Sequence, residues 1–518
     1  MIGLVVLFLG LMARFHSPGQ GFSSLLMLGD HTITQTVPEL RELDLFVLRD
    51  SPGYDAQHYV QLALRPDLRD PALVGAVDNL PYRARRMALS WIAWLVGGGE
   101  PGRIVQVYAL LNVAAWLGLA GLLLRWLPAS SWQNVFRWFA ILFGCGAVFS
   151  VRGSLVDLPG LLALAAGVAL IESRRAWAGA LVLGFGGMIR ETGVLGATAL
   201  LPTSRSWRAW IEAAARAALA VGPAVAWLVY VTVTLGRAQD VGTRNFTWPF
   251  AGWWWAWQEA IRQGRLDLPF LERTASLWVV CALTVQALVI LLRPRWREVW
   301  WRVGLAYVLL MIPLGELVWE GQPGAAARVL LPLTLAFNLL VPHERRWWPV
   351  LVLGNLTLLP SVLALPTTIP EVHRIEARNA ELDSRPTGDW RVWYDQFWYN
   401  TEASRWGTRR WRWASGTASV VIFNPQEQPV VTQWSFELAS DEERPVSVER
   451  GDEVLWRGEA GPAGVVGSIE AVSLPPGYSR WTFATPAQEV ESSVLDPRPL
   501  AFRLKSFEIH VLGAEASQ

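Results

Sequence analysis

Between Gly53 and Tyr59 the chain runs Gly-Tyr-Asp-Ala-Gln-His-Tyr, and a polar stretch continues to Asp78-Asn79-Leu80-Pro81-Tyr82-Arg83-Ala84-Arg85-Arg86. Asp55 is a carboxylate able to take a proton from a hydroxyl. Arg83, Arg85 and Arg86 carry planar donors that suit phosphate. Apolar sequence flanks this stretch, and ionisable groups beside lipid are rare and usually functional. A helix starting near Tyr54, after Asp50-Ser51-Pro52-Gly53, puts Asp55 in its first turn, where the helix dipole favours the ionised form. Tyr54 and His58 then share a face at i,i+4, with Asp55 and Tyr59 offset beside them. A first-turn aspartate also serves simply to stabilise its helix, and a histidine here can be structural, so spacing leaves both roles open.

Other charged residues sit at the ends of apolar runs: Arg152 with Asp157, Arg190 with Glu191, and Glu316 and Glu320 with Arg328. Arg190, Arg328, Arg152, Arg85 and Arg86 are the candidates for binding a phosphate. Tyr54, His58, Tyr59, Asp78, Asn79, Asp157, Glu191 and Glu320 are the candidates for the surrounding pocket. Each has a plainer reading. Arg85 and Arg86 can anchor to lipid headgroups. Arg190 can pair with Glu191 to close a turn, Asp157 before Pro159 can cap a helix, and Asp78-Asn79 is turn chemistry. No phosphate-binding glycine loop, nucleophile elbow or zinc spacing occurs in the chain. Cys145 and Cys281 both fall in apolar stretches and support neither a disulfide framework nor a thiolate metal site.

The elements that must hold these groups belong to a membrane. The 518 residues are 52% hydrophobic and 17% charged, with a mean hydropathy of +0.27, outside the soluble globular norm and typical of a polytopic protein. A net charge of +1 gives no basic field for nucleic acid. Residues 2–13 are apolar but short for a span, residues 14–102 form a large first external loop, and 87–97 suits an interfacial or re-entrant helix. Ten more spans are expected near 103–125, 135–151, 155–172, 177–189, 191–203, 211–235, 274–292, 299–316, 326–341 and 348–365, about eleven in all. With the first loop outside, each inner turn carries at least two arginines: Arg125 and Arg137, Arg174 and Arg175, Arg205 and Arg208, Arg293, Arg295 and Arg297, Arg345 and Arg346. The outer segment 236–272, with Arg244 and Trp253-Trp254-Trp255, has the composition of a helix lying in the interface.

The composition then changes. Residues 1–365 make the transmembrane domain, 366–389 a connector with a surface helix at 370–383, and 390–518 a second domain. In that last part β-rich runs at 418–423, 430–438, 446–450, 479–483 and 502–511 alternate with turn signals, the pattern of a β-sandwich. Its aromatic residues Trp390, Trp393, Tyr394, Trp398, Tyr399, Trp406, Trp411 and Trp413 are either core or a stacking platform for sugar.

The Tyr54-Asp55-Ala56-Gln57-His58-Tyr59 stretch after a first apolar segment resembles the loop of the GT-C glycosyltransferase superfamily. It is most similar to that of the phosphatidylinositol-glycan mannosyltransferases and their bacterial relatives. The short helix that follows, Asn112 in the next span, and the Gly184-Phe185-Gly186-Gly187-Met188-Ile189-Arg190-Glu191-Thr192-Gly193 turn resemble the same pattern, over about residues 1–350. The resemblance implies a sugar donor carried on polyprenyl phosphate and a role for Asp55 as the base that activates the acceptor hydroxyl. No Asp-x-Asp motif follows the loop, so a divalent metal is not expected. The expectation is a bacterial inner-membrane glycosyltransferase acting on a glycan, lipid or protein acceptor at the outer face, with the C-terminal domain extracytoplasmic. Two other readings stay open: a transporter or flippase for a lipid-linked glycan, and a non-catalytic scaffold presenting the β-domain.

Overall fold

The structure is a computed structural model describing residues 1–16, 20–29, 32, 35–43, 45–48, 51–236, 245–266, 268–321, 324–364, 372–374, 391–395, 397–399, 402–403, 410–486, 490–493 and 496–514. The chain divides into two units. One comprises Met1–Phe15, Phe22–Asp44 and Ser51–Thr368, the other His16–Gly21, Leu45–Asp50 and Ile369–Gln518.

The first unit is helical. Its main helices are α1 (Ile2–Ala13), α2 (Ala56–Leu64), α3 (Ala88–Gly97), α4 (Pro101–Leu123), α5 (Trp132–Phe143), α6 (Cys145–Arg152), α7 (Asp157–Glu172), α8 (Ala176–Ile189), α9 (Trp207–Leu235), α10 (Ala251–Gln263), α11 (Phe270–Leu292), α12 (Val299–Met311) and α13 (Leu331–Leu340). Local chemistry sets several ends. Pro101 opens α4 behind Glu100, whose carboxylate accepts from the Gly102 and Arg103 amides, and Ser131 caps α5. Gly144, in extended backbone, bends α5 against α6 by 42°.

Among the described residues, α4, α9 and α11 are long and apolar enough to cross a membrane. The count rises to five if α5–α6 and the bent pair Arg345–Leu353 with Leu356–Ala364 are each one span. Shorter apolar helices stand at other expected positions, so the sequence count of eleven is higher than helix length alone supports. The 191–203 segment differs in kind, being a 3-10 helix over Glu191–Leu200. Helix α9 makes the case for lipid: it runs 29 residues, yet only 11% of its most apolar window is buried inside the protein. Such exposed apolar surface suits a hydrocarbon environment, not water. Arg137, counted from sequence as an inner-turn cation, lies within α5 and is fully buried. Its guanidinium donates to the carbonyls of Asn338, Val341 and Pro342 at the end of α13.

The second unit holds two larger antiparallel sheets and a separate two-stranded one. Strands β1 (Val372–Arg374), β2 (Arg391–Tyr394), β3 (Glu402–Ala403), β4 (Arg410–Ala414), β5 (Ala418–Asn424), β6 (Val430–Ala439), β7 (Arg444–Arg450), β8 (Glu453–Ala460), β9 (Val465–Leu474), β10 (Gly477–Ala484), β11 (Val490–Ser493), β12 (Asp496–Leu500) and β13 (Phe502–Ala514) are described. One of the larger sheets has the order β8-β7-β10-β5-β2-β1 and the other β9-β6-β13-β4-β3. Along β6 every second side chain (Val430, Thr432, Trp434, Phe436, Leu438) is buried, and residues of both sheets share one apolar core. Trp398, Trp413, Trp434 and Trp481 are buried, with Trp434 and Trp481 edge-to-face at 4.8 Å. The connector helix expected at 370–383 is corrected where the segment is described: Val372–Arg374 is a strand paired with β2. The rest of that segment, with Trp390, Trp406 and Arg244, lies outside the described residues.

Candidate active site

Helix α2 is held at its start by two buried glutamines. Gln57 accepts from the Gly29 amide and the Thr32 hydroxyl and donates to the Pro52 carbonyl, while Gln61 bridges the Val37 amide and the Ala76 carbonyl. Gly53 adopts φ +75°, a left-handed turn that a side chain would strain, and the Tyr54 amide donates to the Met27 carbonyl. The helix begins at Ala56, and Asp55 is its flanking residue with no capping bond from its side chain. The carboxylate is therefore directed elsewhere.

Asp55 faces a cavity of about 800 Å³. Its Oδ1 accepts from Arg83 Nη1 at 2.8 Å, and Oδ2 has no hydrogen-bond partner among the described residues. Arg83 is itself gripped by Asp78, through Nε at 2.9 Å and Nη2 at 2.7 Å, and sits over the rings of Tyr59 and Tyr82. Burial opposes ionisation of Asp55, but Arg83, with Arg328 and Arg86 beyond it, outweighs burial and holds the carboxyl below the usual range.

A second group crosses the chain. Arg86 donates from Nε to Glu191 at 2.7 Å, from Nη1 to the Tyr59 hydroxyl and from Nη2 to the Tyr82 hydroxyl. In a third, Asp157 takes two guanidiniums, Arg190 and Arg328, and Arg328 also donates to the Tyr54 hydroxyl at 2.8 Å. Asn112 builds the approach to Asp157. It donates to the Leu155 carbonyl and accepts from Ser150, whose hydroxyl also accepts the Leu158 amide at the start of α7.

These contacts revise several expectations. Arg190 pairs with Asp157 and not with its neighbour Glu191, which instead meets Arg86. Asp157 makes ion pairs and does not cap α7. Arg86 is an internal partner of Glu191 and not a headgroup anchor. Asn79 does perform turn chemistry, accepting the Tyr82 amide at the start of Leu80–Arg83. His58, Asp78 and Asn79, expected in the pocket, do not line the cavity. His58 is buried with Nε2 3.6 Å from Asp78, and burial lowers its pKa against the opposing pull of that carboxylate.

Tyr54, Tyr59, Arg85, Arg86, Arg152, Asp157, Arg190, Glu191, Glu320 and Arg328 all line the cavity with Asp55. Arg85 lines it without a carboxylate partner among the described residues and lies 5.7 Å from the Tyr82 ring. Arg152 donates to the Ser24 carbonyl. Sequence reasoning gave no role to Tyr82, which contacts three arginines, although an aromatic set between Pro81 and Arg83 was a visible signal. It also missed the apolar wall of Phe149, Phe246, Leu310, Leu314 and Leu317, for which local spacing carries no signal. Among the described residues, no group of three or more His, Cys, Asp or Glu side chains could hold a metal ion.

No protein-family model matches the chain, and no curated protein matches it. One solved structure that aligns with it is the arabinosyltransferase EmbB from Mycobacterium smegmatis, determined by cryo-electron microscopy. The alignment covers 98% of this chain and 62% of that one, at 10% identity and a TM-score of 0.28. The chain thus spans less than two thirds of that protein's length, and a likeness this loose assigns no residue and no activity.

Proposed function

We propose that the protein is a membrane glycosyltransferase of the GT-C kind that moves one sugar from a polyprenyl-phosphate donor to an acceptor hydroxyl, with Asp55 as the general base. The observation that carries this reading is the placement of Asp55. It is a carboxylate one-third exposed, beside a large cavity, with one oxygen tied to Arg83 and the other without a hydrogen-bond partner among the described residues. The resemblance of the Tyr54–Tyr59 loop to that superfamily supports it from the sequence side.

In the proposed reaction, Oδ2 of Asp55 takes the proton of the acceptor hydroxyl as that oxygen bonds to the anomeric carbon. The bond from that carbon to the phosphate oxygen breaks, and its electron pair leaves with the polyprenyl phosphate. Arg328, Arg190 and Arg85 offer donors where charge develops on the departing group. Asp157 supplies one negative charge to two guanidiniums, so the Arg190–Arg328 pair keeps a surplus positive charge for an anion. The apolar wall of Leu310, Leu314, Leu317 and Phe246 suits a lipid chain. The arginine-bearing turns, read as inner ones, support an outer-face position for the cavity. Transfer assayed with a polyprenyl-phosphate sugar tests the proposal: Asp55→Asn should remove activity from a protein that still folds, and unchanged transfer would refute it.

A further inference from the structure

We propose that Arg83 is the positioning residue of this site: clamped by Asp78, it fixes Asp55 by one oxygen and leaves the other turned to the cavity. The proposal rests on the reading of Asp55 as the base. Three of the five N–H donors of Arg83 go to protein carboxylates. Nε and Nη2 of Arg83 engage Asp78 in a bidentate pair, Nη1 engages Asp55, and the side chain is only 11% exposed. Two carboxylates thus hold Arg83 in place, whereas Arg85 in the same stretch has no carboxylate partner among the described residues. The rings of Tyr59 and Tyr82 lie 5.6 and 5.8 Å from its guanidinium carbon and limit its swing. Asn79 caps the turn that presents it, so the clamp and the turn come from adjacent residues.

The groups that interact with Asp55 are His58 and Tyr59 from the helix it precedes, Arg83 and Arg86 from the 78–86 stretch, Tyr108 from α4, and Arg328, while Tyr54 and Glu191 line the same cavity. Of these, Arg83 alone donates a hydrogen bond to its carboxylate among the described residues. Asp78 and Asp55 share Arg83, which donates to both. Removing Arg83 and removing Asp78 therefore have opposite consequences for ionisation. Without Arg83, burial is less opposed and protonation occurs at higher pH. Without the Asp78 charge, the guanidinium acts on Asp55 undivided, and protonation moves no higher.

The test is labelling by dicyclohexylcarbodiimide, which adds to protonated carboxyls, mapped at Asp55 by mass spectrometry as a function of pH. It uses the full chain in detergent as wild type, Arg83→Gln and Asp78→Asn. Expected are a labelling midpoint for Arg83→Gln above that of wild type, and for Asp78→Asn at or below it. A midpoint for Arg83→Gln at or below wild type, or an upward shift in Asp78→Asn, overturns the proposal, since general loosening of the loop would move both variants the same way. Should Arg83→Gln fail to fold, Arg83→Met is scored by the same criterion: a midpoint above wild type supports the proposal and one at or below it overturns it. Labelling needs no sugar substrate, so its outcome is separate from the transfer assay of Asp55→Asn that tests the base reading itself.

Discussion

Arg86 and Glu191 are 105 residues apart in the chain and meet at 2.7 Å in the wall of the cavity. The pair joins the first polar loop to the start of the 3-10 helix, and Arg86 reaches two tyrosines besides. Glu191→Gln removes the charge that balances a largely buried guanidinium. Glu191 is itself 39% exposed, so the loss falls short of that for a fully buried pair, on the order of 1–3 kcal/mol. Thermal denaturation in detergent should show a lower midpoint for Glu191→Gln, and Arg86→Gln should not add its full effect to it.

Arg328 is held by Asp157 at 3.2 Å and by Tyr54, and in the proposed reaction it meets the phosphate. Arg328→Gln keeps the side-chain length but loses the charge. A lost charge-assisted hydrogen bond amounts to about 1.5–3 kcal/mol, roughly a tenfold or greater fall in kcat/KM for the donor. Tyr54→Phe loses one bond to a side chain that keeps its other partner, so its effect should be smaller. Steady-state kinetics with varied donor separates the two.

In the second unit Asp395 accepts the Phe397 and Ser419 amides, and burial outweighs these bonds to raise its pKa to about 6. A group whose pKa is higher folded than unfolded favours the fold below its unfolded value. That contribution is lost as pH rises through the folded value. The Asp395 contribution is therefore full below about 3.9 and gone above about 6. Hydrogen exchange at these two amides, corrected for the intrinsic effect of pH, should show protection that weakens across this window. Asp395→Asn should flatten that dependence.

Gly252 in α10 lies against the segment that carries Leu314. A Cβ there would stand 2.0 Å from the Leu314 carbonyl oxygen, and the neighbouring backbone is tied down by bonds from Thr247 to Pro313 and from Phe250 to Ile312. Gly252→Ala must push two backbones apart at the apolar wall. A loss of at least about 1–3 kcal/mol is expected, read as a lower thermal midpoint in detergent, whereas Gly222→Ala, with open space around it, should cost little.

Patterns that depend on neighbours in sequence were legible. Alternation located β5, β6, β10 and β13 to within a few residues, and the apolar run at 87–97 became α3. Composition also marked 236–272 for an interfacial helix, and α10 (Ala251–Gln263) falls within that segment. The failures have physical causes. Hydropathy alone does not separate an α-helix from the 3-10 helix at Glu191–Leu200, because it registers how apolar a segment is and not how its turns are hydrogen-bonded. Arginine counting assumes that a cation near a span end faces water, whereas Arg137 turns inward to satisfy carbonyls. Residue type nominated Asp55, Asp157, Arg190 and Arg328 as site residues. Their partners were not legible: Arg190 was weighed against its neighbour Glu191, yet each pairs with a residue brought by a distant element. Chain proximity is a poor guide where helices decide who meets whom.

The central claim is that Asp55 carries proton transfer in this cavity. The most direct measurement is transfer from a polyprenyl-phosphate sugar by the full chain in lipid, comparing wild type with Asp55→Asn at equal folded amount. Loss of a positioned base predicts a fall on the order of 10²–10⁴-fold in kcat with a native thermal midpoint retained. An Asp55→Asn protein that turns over at close to the wild-type rate would contradict the account.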